Sequence, residues 1–467
     1  MPDDDKTFQY DMVTIGSGPG GLAAARQVAR RGGRACIVEA GPFGGICLHV
    51  GCIPTKAMLA ASDLAWRMKN AEPFGIAPAE ANVDGPAFMA RVAGVVADLA
   101  DRAVRAVEIS MQIDLVRGRG RLRDPHTVAV ETDDGEKRIT ARAVVIATGA
   151  RPVRPGFLPW DSPRLMTTDE ATAATDLPAG VIVMGGGVIG CEMATVYSEL
   201  GIPTTVVEMM PNLLPGLDED AAKVVAASLE ERGVKIITGV KVLDMTDTGD
   251  ELVVKTADGG EVHADAALIA VGRTPNTAEL GLEDVGVRVE GGVIAVDDRC
   301  RTNVEGVYAV GDVAEPQQYA HLADRMGVVA AENIMGARLA DDRTVVPVGA
   351  YTHPEVASVG RTLAQAKADH PKARAFRYRY AHAGMAMAAG ETHGQVKVVA
   401  DAETGRVLGA LWIGPHAVDM IQEFALAMRH GLSLEQVYHT IHAHPTYQEA
   451  AMLAAEGWVS QAMRKRR

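Results

Sequence analysis

The chain has 467 residues, 48% of them apolar and 23% charged, which suits two to four globular domains rather than a disordered or fibrous protein. Forty-six Lys and Arg against sixty Asp and Glu give a formal charge of −14, and this disfavours nucleic acid as a general partner. No apolar run is read as reaching the roughly 20 residues that span a bilayer, and Met1–Tyr10 is acidic and polar where a secretory signal is basic and then apolar; a cytoplasmic protein with no membrane partner is expected.

Met12–Ile15 predicts a short strand that runs into Gly16-Ser17-Gly18-Pro19-Gly20-Gly21. An alanine-rich helix to about Arg31 follows, then a strand over Ala35–Val38 that ends at Glu39. Glycines at such a turn let the backbone approach a pyrophosphate, the helix N-terminus faces it with free N–H groups, and the acid accepts hydrogen bonds from ribose hydroxyls.

Directly after this unit comes Gly44-Gly45-Ile46-Cys47-Leu48-His49-Val50-Gly51-Cys52-Ile53-Pro54-Thr55-Lys56. The four-residue spacer is expected to put both thiols on one face of a helical turn, close enough to join and near a helix N-terminus that favours thiolate. Half a zinc site is the competing reading, but no second CxxC or close CxxH completes it. Cys36, Cys191 and Cys300 stand alone and read as inert thiols. A long helix is expected between Asp84 and Met111.

Val181–Met184 opens a second copy: Gly185-Gly186-Gly187-Val188-Ile189-Gly190, a helix to about Leu200, and a strand over Thr204–Val207 ending at Glu208. In both copies 23 positions separate the first glycine from the acid. Two such units in register imply two different nucleotides. Glu208 would repel a 2′-phosphate and no base follows until Lys223, so NAD is favoured over NADP. Val144–Pro152 and Leu268–Pro275 echo one another as a strand, Gly and Pro, and place boundaries near 150 and 275, with a hairpin-like pattern over 241–270. Gly311-Asp312 alone is a turn after an apolar strand. His439, His442 and His444 have a spacing that allows a metal, yet nothing acidic or sulfur-bearing completes a site, and no metal is expected.

The cysteine segment resembles the GGxCxNxGCxPSK motif of the pyridine nucleotide-disulfide oxidoreductases, and the resemblance runs over nearly the whole chain. Thr302–Val313 (TNVEGVYAVGDV) matches a second FAD motif, Tyr351–Gly360 (YTHPEVASVG) opens a region like the family's interface domain, and His444–Glu449 matches HPTxxE. The implied fold is α/β, two Rossmann-like dinucleotide-binding domains followed by a C-terminal α+β dimerisation domain. The implied division is an FAD-binding domain with the redox disulfide over 1–150, an NAD-binding domain over 151–275, a central continuation of the FAD domain over 276–346, and an interface domain over 347–467.

The resemblance also assigns roles. FAD would be held by Gly16, Gly18, Gly21, Glu39, Lys56, Thr148, Gly149, Gly311, Asp312, Ala320 and His321, and NAD by Gly185, Gly187, Gly190, Glu208, Gly272 and Arg273. Cys47 would exchange with a dithiol substrate while Cys52 lies nearer the flavin, and Lys56 would pair with Glu192 beside it. His444, oriented by Glu449, would be the acid-base and would serve the partner subunit's active site, which implies a homodimer. Val188-Ile189, Glu208, Cys52 and the runs 351–360, 414–428 and 441–450 look most like the dihydrolipoamide dehydrogenases, implying NAD-linked oxidation of dihydrolipoyl groups on a carrier protein or domain. Another disulfide or metal-ion reductase of the family is the alternative. A flavoprotein scaffold is the reading from a different class, against which Cys47, Cys52, His444 and Glu449 together weigh. His49, where Asn is usual, and Ala383-Gly384-Met385, where Asn and Arg are common, depart from the pattern and bear on the substrate channel.

Overall fold

The apolar run at the start of the chain becomes β1 (Tyr10–Ile15), with Met12 and Val13 fully buried, as a strand covered on both faces must be. The computed structural model describes residues 8–466. Met1–Thr7, which carry most of the acidic leader, and Arg467 of the basic tail lie outside them.

From β1 the chain enters α1 (Pro19–Arg30) and returns as β2 (Ala35–Glu39), parallel to β1 with Met12 opposite Ala35. Two helices follow, α2 (Gly45–His49) and α3 (Cys52–Lys69), and then α4 (Gly85–Glu108), whose N-cap Asp84 accepts from the Ala87 amide. The strands β3 (Ile113–Arg117), β4 (Arg119–Asp124), β5 (Thr127–Thr132) and β6 (Gly135–Ile146) complete a sheet of order β3-β2-β1-β6-β5-β4. The long β6 pairs parallel with β1 through Ala141–Ile146 and antiparallel with β5 through its first half. One strand inside a single sheet thus turns the nucleotide unit into an antiparallel meander.

The second unit repeats the plan. After β7 (Ala150–Pro152), β8 (Leu165–Thr167) and α5 (Thr168–Ala173) come β9 (Val181–Met184), α6 (Val188–Glu199), β10 (Thr204–Glu208), α7 (Glu219–Glu231) and β11 (Lys235–Thr238). A meander of β12 (Val242–Asp247), β13 (Leu252–Thr256) and β14 (Glu261–Ala264) precedes β15 (Ala266–Ile269), in a parallel sheet of order β11-β10-β9-β15-β8. Every residue of α6 from Gly190 to Glu199 is buried, the mark of a helix surrounded by protein. The two echoing exits meet: β16 (Arg273–Pro275) pairs antiparallel with β7.

The chain then returns to the first sheet. A short helix α8 (Leu282–Val285) and a hairpin of β17 (Val289–Glu290) and β18 (Val293–Ile294) lead to β19 (Val307–Ala309), parallel to β6. Next comes α9 (Ala320–Ile334). The last region is an antiparallel sheet of β20 (Val348–Ala350), β21 (Val356–Gly360), β22 (Ala373–Arg379), β23 (Gln395–Asp401) and β24 (Val407–Ile413) in the order β20-β21-β24-β23-β22, covered by the helix Glu449–Arg466. Its core centres on Trp412, which donates from Nε1 to Tyr380 Oη at 2.6 Å. The α/β fold with two Rossmann-like units and a C-terminal α+β domain is thereby observed.

Two expectations need correction. Cys47 and Cys52 do not share one helical turn: Gly51 (φ −124°, ψ −111°) breaks the helix, leaving Cys47 in α2 and Cys52 as the first residue of α3. And one helical stretch among the described residues, Gly45–Lys69, is long and apolar enough by length and composition to cross a bilayer. Within it Ala57, Met58, Leu59 and Ala65 of α3 are buried, and α3 packs on α4 and α6.

The helices α1 and α9 pack closely through glycines. A Cβ on Gly327 of α9 would lie 2.1 Å from the Gly20 carbonyl oxygen of α1. Gly327→Ala is therefore expected to push the helices apart and cost about 1–3 kcal/mol, as overpacking typically does; urea unfolding with an unchanged midpoint would contradict this packing.

Candidate active site

Both glycine turns are built for the same purpose from glycines with three different duties. Gly16 and Gly185 each adopt φ +109°, where a Cβ would meet the carbonyl oxygen of Ala147 at 2.3 Å or Ala270 at 2.4 Å. At Gly21 and Gly190 a Cβ would lie 2.1 and 1.9 Å from the carbonyl oxygens of Gly16 and Gly185, so these two let the helix close on the turn. Gly18 and Gly187 have nothing within 4 Å of a Cβ; they face open space and leave the backbone bare to a ligand. That division is what a pyrophosphate at a helix N-terminus demands.

The acids close the turns in parallel fashion. Glu39 Oε2 accepts from the Ser17 amide at 2.8 Å and from Ser17 Oγ at 2.6 Å, and Oε1 from the Gly41 amide at 2.7 Å. Glu208 Oε2 accepts from the Gly186 amide at 2.6 Å and Oε1 from the Met210 amide at 2.7 Å. Ser17 and Gly186 occupy the same place in their turns. Sequence reasoning missed Ser17, although its position between the first two glycines was the available signal.

A single cavity of about 2010 Å³ connects the two turns. Gly16, Gly18, Glu39, Cys47, Cys52, Lys56, Thr148, Gly149, Gly185, Gly187, Glu192, Glu208, Gly272, Arg273, Gly311, Asp312, Ala320 and His321 all line it. Gly21 and Gly190 sit behind it, and His444 and Glu449 are not in its wall. The lining fits two dinucleotides in physical terms: two bare turns, two acids at strand ends, and a guanidinium with spare capacity. Arg273 donates from Nη2 to the Ala150 carbonyl at 3.0 Å and its Nη1 lies 3.7 Å from Asp169, but its buried Nε has no hydrogen-bond partner among the described residues. Burial pushes the Asp312 carboxyl up, against the opposing charge of Arg273. His321 faces the Pro347 carbonyl through Nε2 at 2.9 Å and stacks on Tyr319, and burial lowers its pKa.

The free thiols of Cys47 and Cys52 both line the cavity, and each acts on the titration of the other. The neighbouring Cys47 thiol, and then the charge of Lys56, lower the Cys52 thiol to about 7, against the opposing effects of burial and of Glu192. The neighbouring Cys52 and burial raise Cys47 far above an ordinary thiol. The position of Cys52 as the first residue of α3 adds the positive end of the helix. His49 Nε2 donates to the Phe43 carbonyl at 2.8 Å. The remaining thiols, Cys36, Cys191 and Cys300, are buried and pushed up to about 12, chiefly by that burial.

Lys56 and Glu192 meet: Nζ lies 3.0 and 2.8 Å from the two carboxylate oxygens, and Glu192 is 2% exposed. Glu192 Oε1 also accepts from the Tyr351 amide at 2.9 Å, and the Lys56 ammonium stands 4.4 Å over the Tyr351 ring. Tyr351 opens the run 351–360 that the sequence singled out, but nothing in that run marked its contacts with Lys56 and Glu192.

His444 and Glu449 meet at the surface. Nδ1 and Oε1 are 2.8 Å apart, the His444 side chain is 77% exposed, and Glu449 Oε2 accepts from the Thr446 amide at 2.8 Å. Burial raises the Glu449 carboxyl, but the hydrogen bonds from His444 and Thr446 outweigh it and hold the group below its usual range. His442 turns elsewhere, with Nε2 3.1 Å from Glu423, and among the described residues no three His, Cys, Asp or Glu gather as a metal site.

Comparison with known proteins bears on the whole chain. The family model for pyridine nucleotide-disulphide oxidoreductase matches residues 10–328, and the model for the family's dimerisation domain matches 346–455. Dihydrolipoyl dehydrogenase of Bacillus subtilis is 37% identical over 467 residues, covering 96% of this chain and 98% of that one. The protein of the same name from Haloferax volcanii is 38% identical, with 97% of each chain covered. Among solved structures, LpdA from Mycobacterium tuberculosis superposes with a TM-score of 0.89 at 29% identity, over 96% of this chain and 99% of that one. The flavoprotein disulfide reductase RclA from Escherichia coli, in its Cu(II) complex, superposes with 0.87 at 26% identity, over 96% and 99%. FAD and NAD(H) are the cofactors of this group. With both domain models matched in order and the paired turns and dithiol in one cavity, the chain is an oxidoreductase belonging to the pyridine nucleotide-disulphide oxidoreductase family.

Proposed function

We propose that the chain is an NAD-linked dihydrolipoyl dehydrogenase that oxidises dihydrolipoyl groups on a carrier protein or domain, as a cytoplasmic homodimer. The reading carries with it the division near 150, 275 and 346 into FAD, NAD, central and interface domains. The observation that carries it is the dithiol itself: Cys47 and Cys52, with one thiol depressed beside Lys56, between two dinucleotide turns. The names of the relatives support the choice of substrate.

In the net reaction a dithiol and NAD+ become a disulfide, NADH and a proton. In the oxidised pair a substrate thiolate attacks Cys47 Sγ and displaces Cys52 Sγ, which leaves readily because its thiolate is stabilised by Lys56 and the start of α3. The second substrate thiol then attacks the substrate sulfur of the mixed disulfide, forming the cyclic product and releasing Cys47. Bound FAD supplies the two-electron path between this pair and NAD+. His444 of the partner subunit takes the substrate proton: its Nδ1–H is committed to Glu449, so Nε2 is the free acceptor. Glu192 holds the Lys56 ammonium at the thiolate instead of leaving it to solvent. Glu208 sits where a 2′-phosphate would add a second negative charge, which favours NAD.

Three outcomes are expected. Lys56→Met should raise the Cys52 pKa, so the alkylation rate of the reduced pair, which in the wild type climbs as pH rises through about 7, should climb at higher pH; an unmoved profile would detach Lys56 from the thiolate. NADH should exceed NADPH in kcat/KM by roughly tenfold or more, since unfavourable charge at a recognition site readily costs that much, and equal values would remove Glu208 from ribose recognition. His444→Gln should slow dihydrolipoamide oxidation by about 10²–10⁴, the usual worth of general base catalysis, while NADH oxidation by an artificial one-electron acceptor stays near wild type. Normal dithiol turnover in that variant would refute the assignment of the base.

A further inference from the structure

A second buried carboxylate stands behind the redox helix, and no step of the dithiol reaction uses it. Glu199, the last residue of α6, is fully buried. Its Oε2 accepts from Ser62 Oγ of α3 at 2.7 Å, and its Oε1 lies 2.5 Å from His353 Nδ1 and 3.5 Å from Arg232 Nε. Asp63 of α3 stands 3.8 Å from the same His353 nitrogen, and the Arg232 guanidinium lies 4.6 Å over the Trp66 ring of α3. Two carboxylates thus face Arg232 and, when protonated, His353. A carboxylate withdrawn from water is tolerated only where donors and opposite charge satisfy it in this way.

Glu192 and Glu199 are seven residues apart on α6, and they make matching connections. Each accepts from one side chain of α3, Lys56 or Ser62, and each meets one donor from the segment after β20, the Tyr351 amide or His353 Nδ1. The helix that begins at Cys52 is therefore fastened to α6 at two points, six residues apart. Beside the apolar packing of α3 on α6, these two polar points fix its rotation, and a turn of α3 about its own axis would carry Lys56 away from Glu192, the partner that holds its ammonium in place.

We infer that Glu199, with Ser62 and His353, is a positioning cluster for the reactive dithiol: it sets the register of α3 on α6 and so keeps the Lys56 ammonium in its pair with Glu192, a fixed charge one turn along α3 from Cys52 and not a solvated, mobile one. The inference rests on Cys47 and Cys52 being the reacting pair. Burial lowers the His353 pKa, but the hydrogen bond and charge of Glu199, followed by the charge of Asp63, outweigh burial and Arg232 and raise it, in keeping with a cluster whose charges balance.

The test measures the thiols directly and uses no lipoyl substrate. The FAD-loaded dimer is reduced anaerobically with dithiothreitol, freed of it, and alkylated with iodoacetamide between pH 5 and 10, with mass spectrometry reporting Cys47 and Cys52 separately. Glu199→Gln and Ser62→Ala should shift the Cys52 profile to higher pH and slow its alkylation at pH 7 by roughly three- to tenfold, as a thiolate losing a nearby cation does. Leu252→Ala, a buried change in β13 away from the cluster, should lower the melting temperature and leave the profile unmoved. Wild-type profiles in both cluster variants, with reduced melting temperatures, would overturn the inference and leave Glu199 a structural residue only. A wild-type protein with no depressed thiol at either cysteine would overturn the dithiol reading, and the positioning role with it.

Discussion

The ion pair between Lys56 and Glu192 is the point on which the three parts of the chain converge. Lys56 rises from the helix that starts at the redox cysteine, Glu192 from the buried helix of the second nucleotide unit, and the Tyr351 amide, from the start of the last region, completes the carboxylate's bonding. A carboxylate that is 2% exposed needs such partners, because an unpaired buried charge is far more costly than a paired one. Meeting that need joins the two nucleotide turns and the last sheet around one dithiol. It also explains how a lysine one turn from Cys52 can act on it as a fixed charge. A solvated, mobile lysine would be screened and would shift the thiol little.

Around this point the chain solves one problem twice. A dinucleotide needs a backbone without side chains at its pyrophosphate, and in each copy the first glycine clears a carbonyl of a neighbouring strand, the second faces the ligand, and the third lets the helix close. The copies diverge beyond the acid. After Glu39 the chain turns into the cysteine helix, whereas after Glu208 it runs through exposed Met209 and Met210 to α7. Only the first unit therefore carries redox side chains, and the second is left to present a bare site at the far end of the cavity.

His444 and Glu449 are hydrogen-bonded to each other, yet His444 is largely exposed and absent from the wall of the cavity that holds the cysteines. In the proposed mechanism this exposed, carboxylate-oriented imidazole completes the site of the partner subunit, and residues 346–455 match a dimerisation domain.

The sequence by itself was sufficient for most of what local backbone chemistry sets. The glycine turns, the strands ending at Glu39 and Glu208, the helix from Asp84, the close cysteine pair and the His444–Glu449 spacing are all short-range patterns, and each was legible because its residues are neighbours in the chain. It misjudged the cysteine pair as one helical turn, since the four-residue spacing does not reveal that Gly51, at φ −124° and ψ −111°, breaks the helix between them. It had no access to Ser17 closing on Glu39, to Tyr351 over Lys56, or to Ser62, Glu199 and His353 meeting from three distant segments. Those contacts join residues separated by up to 295 positions; no periodicity records them, because only the packing of α3, α6 and the segment after β20 brings their donors within reach of a buried carboxylate.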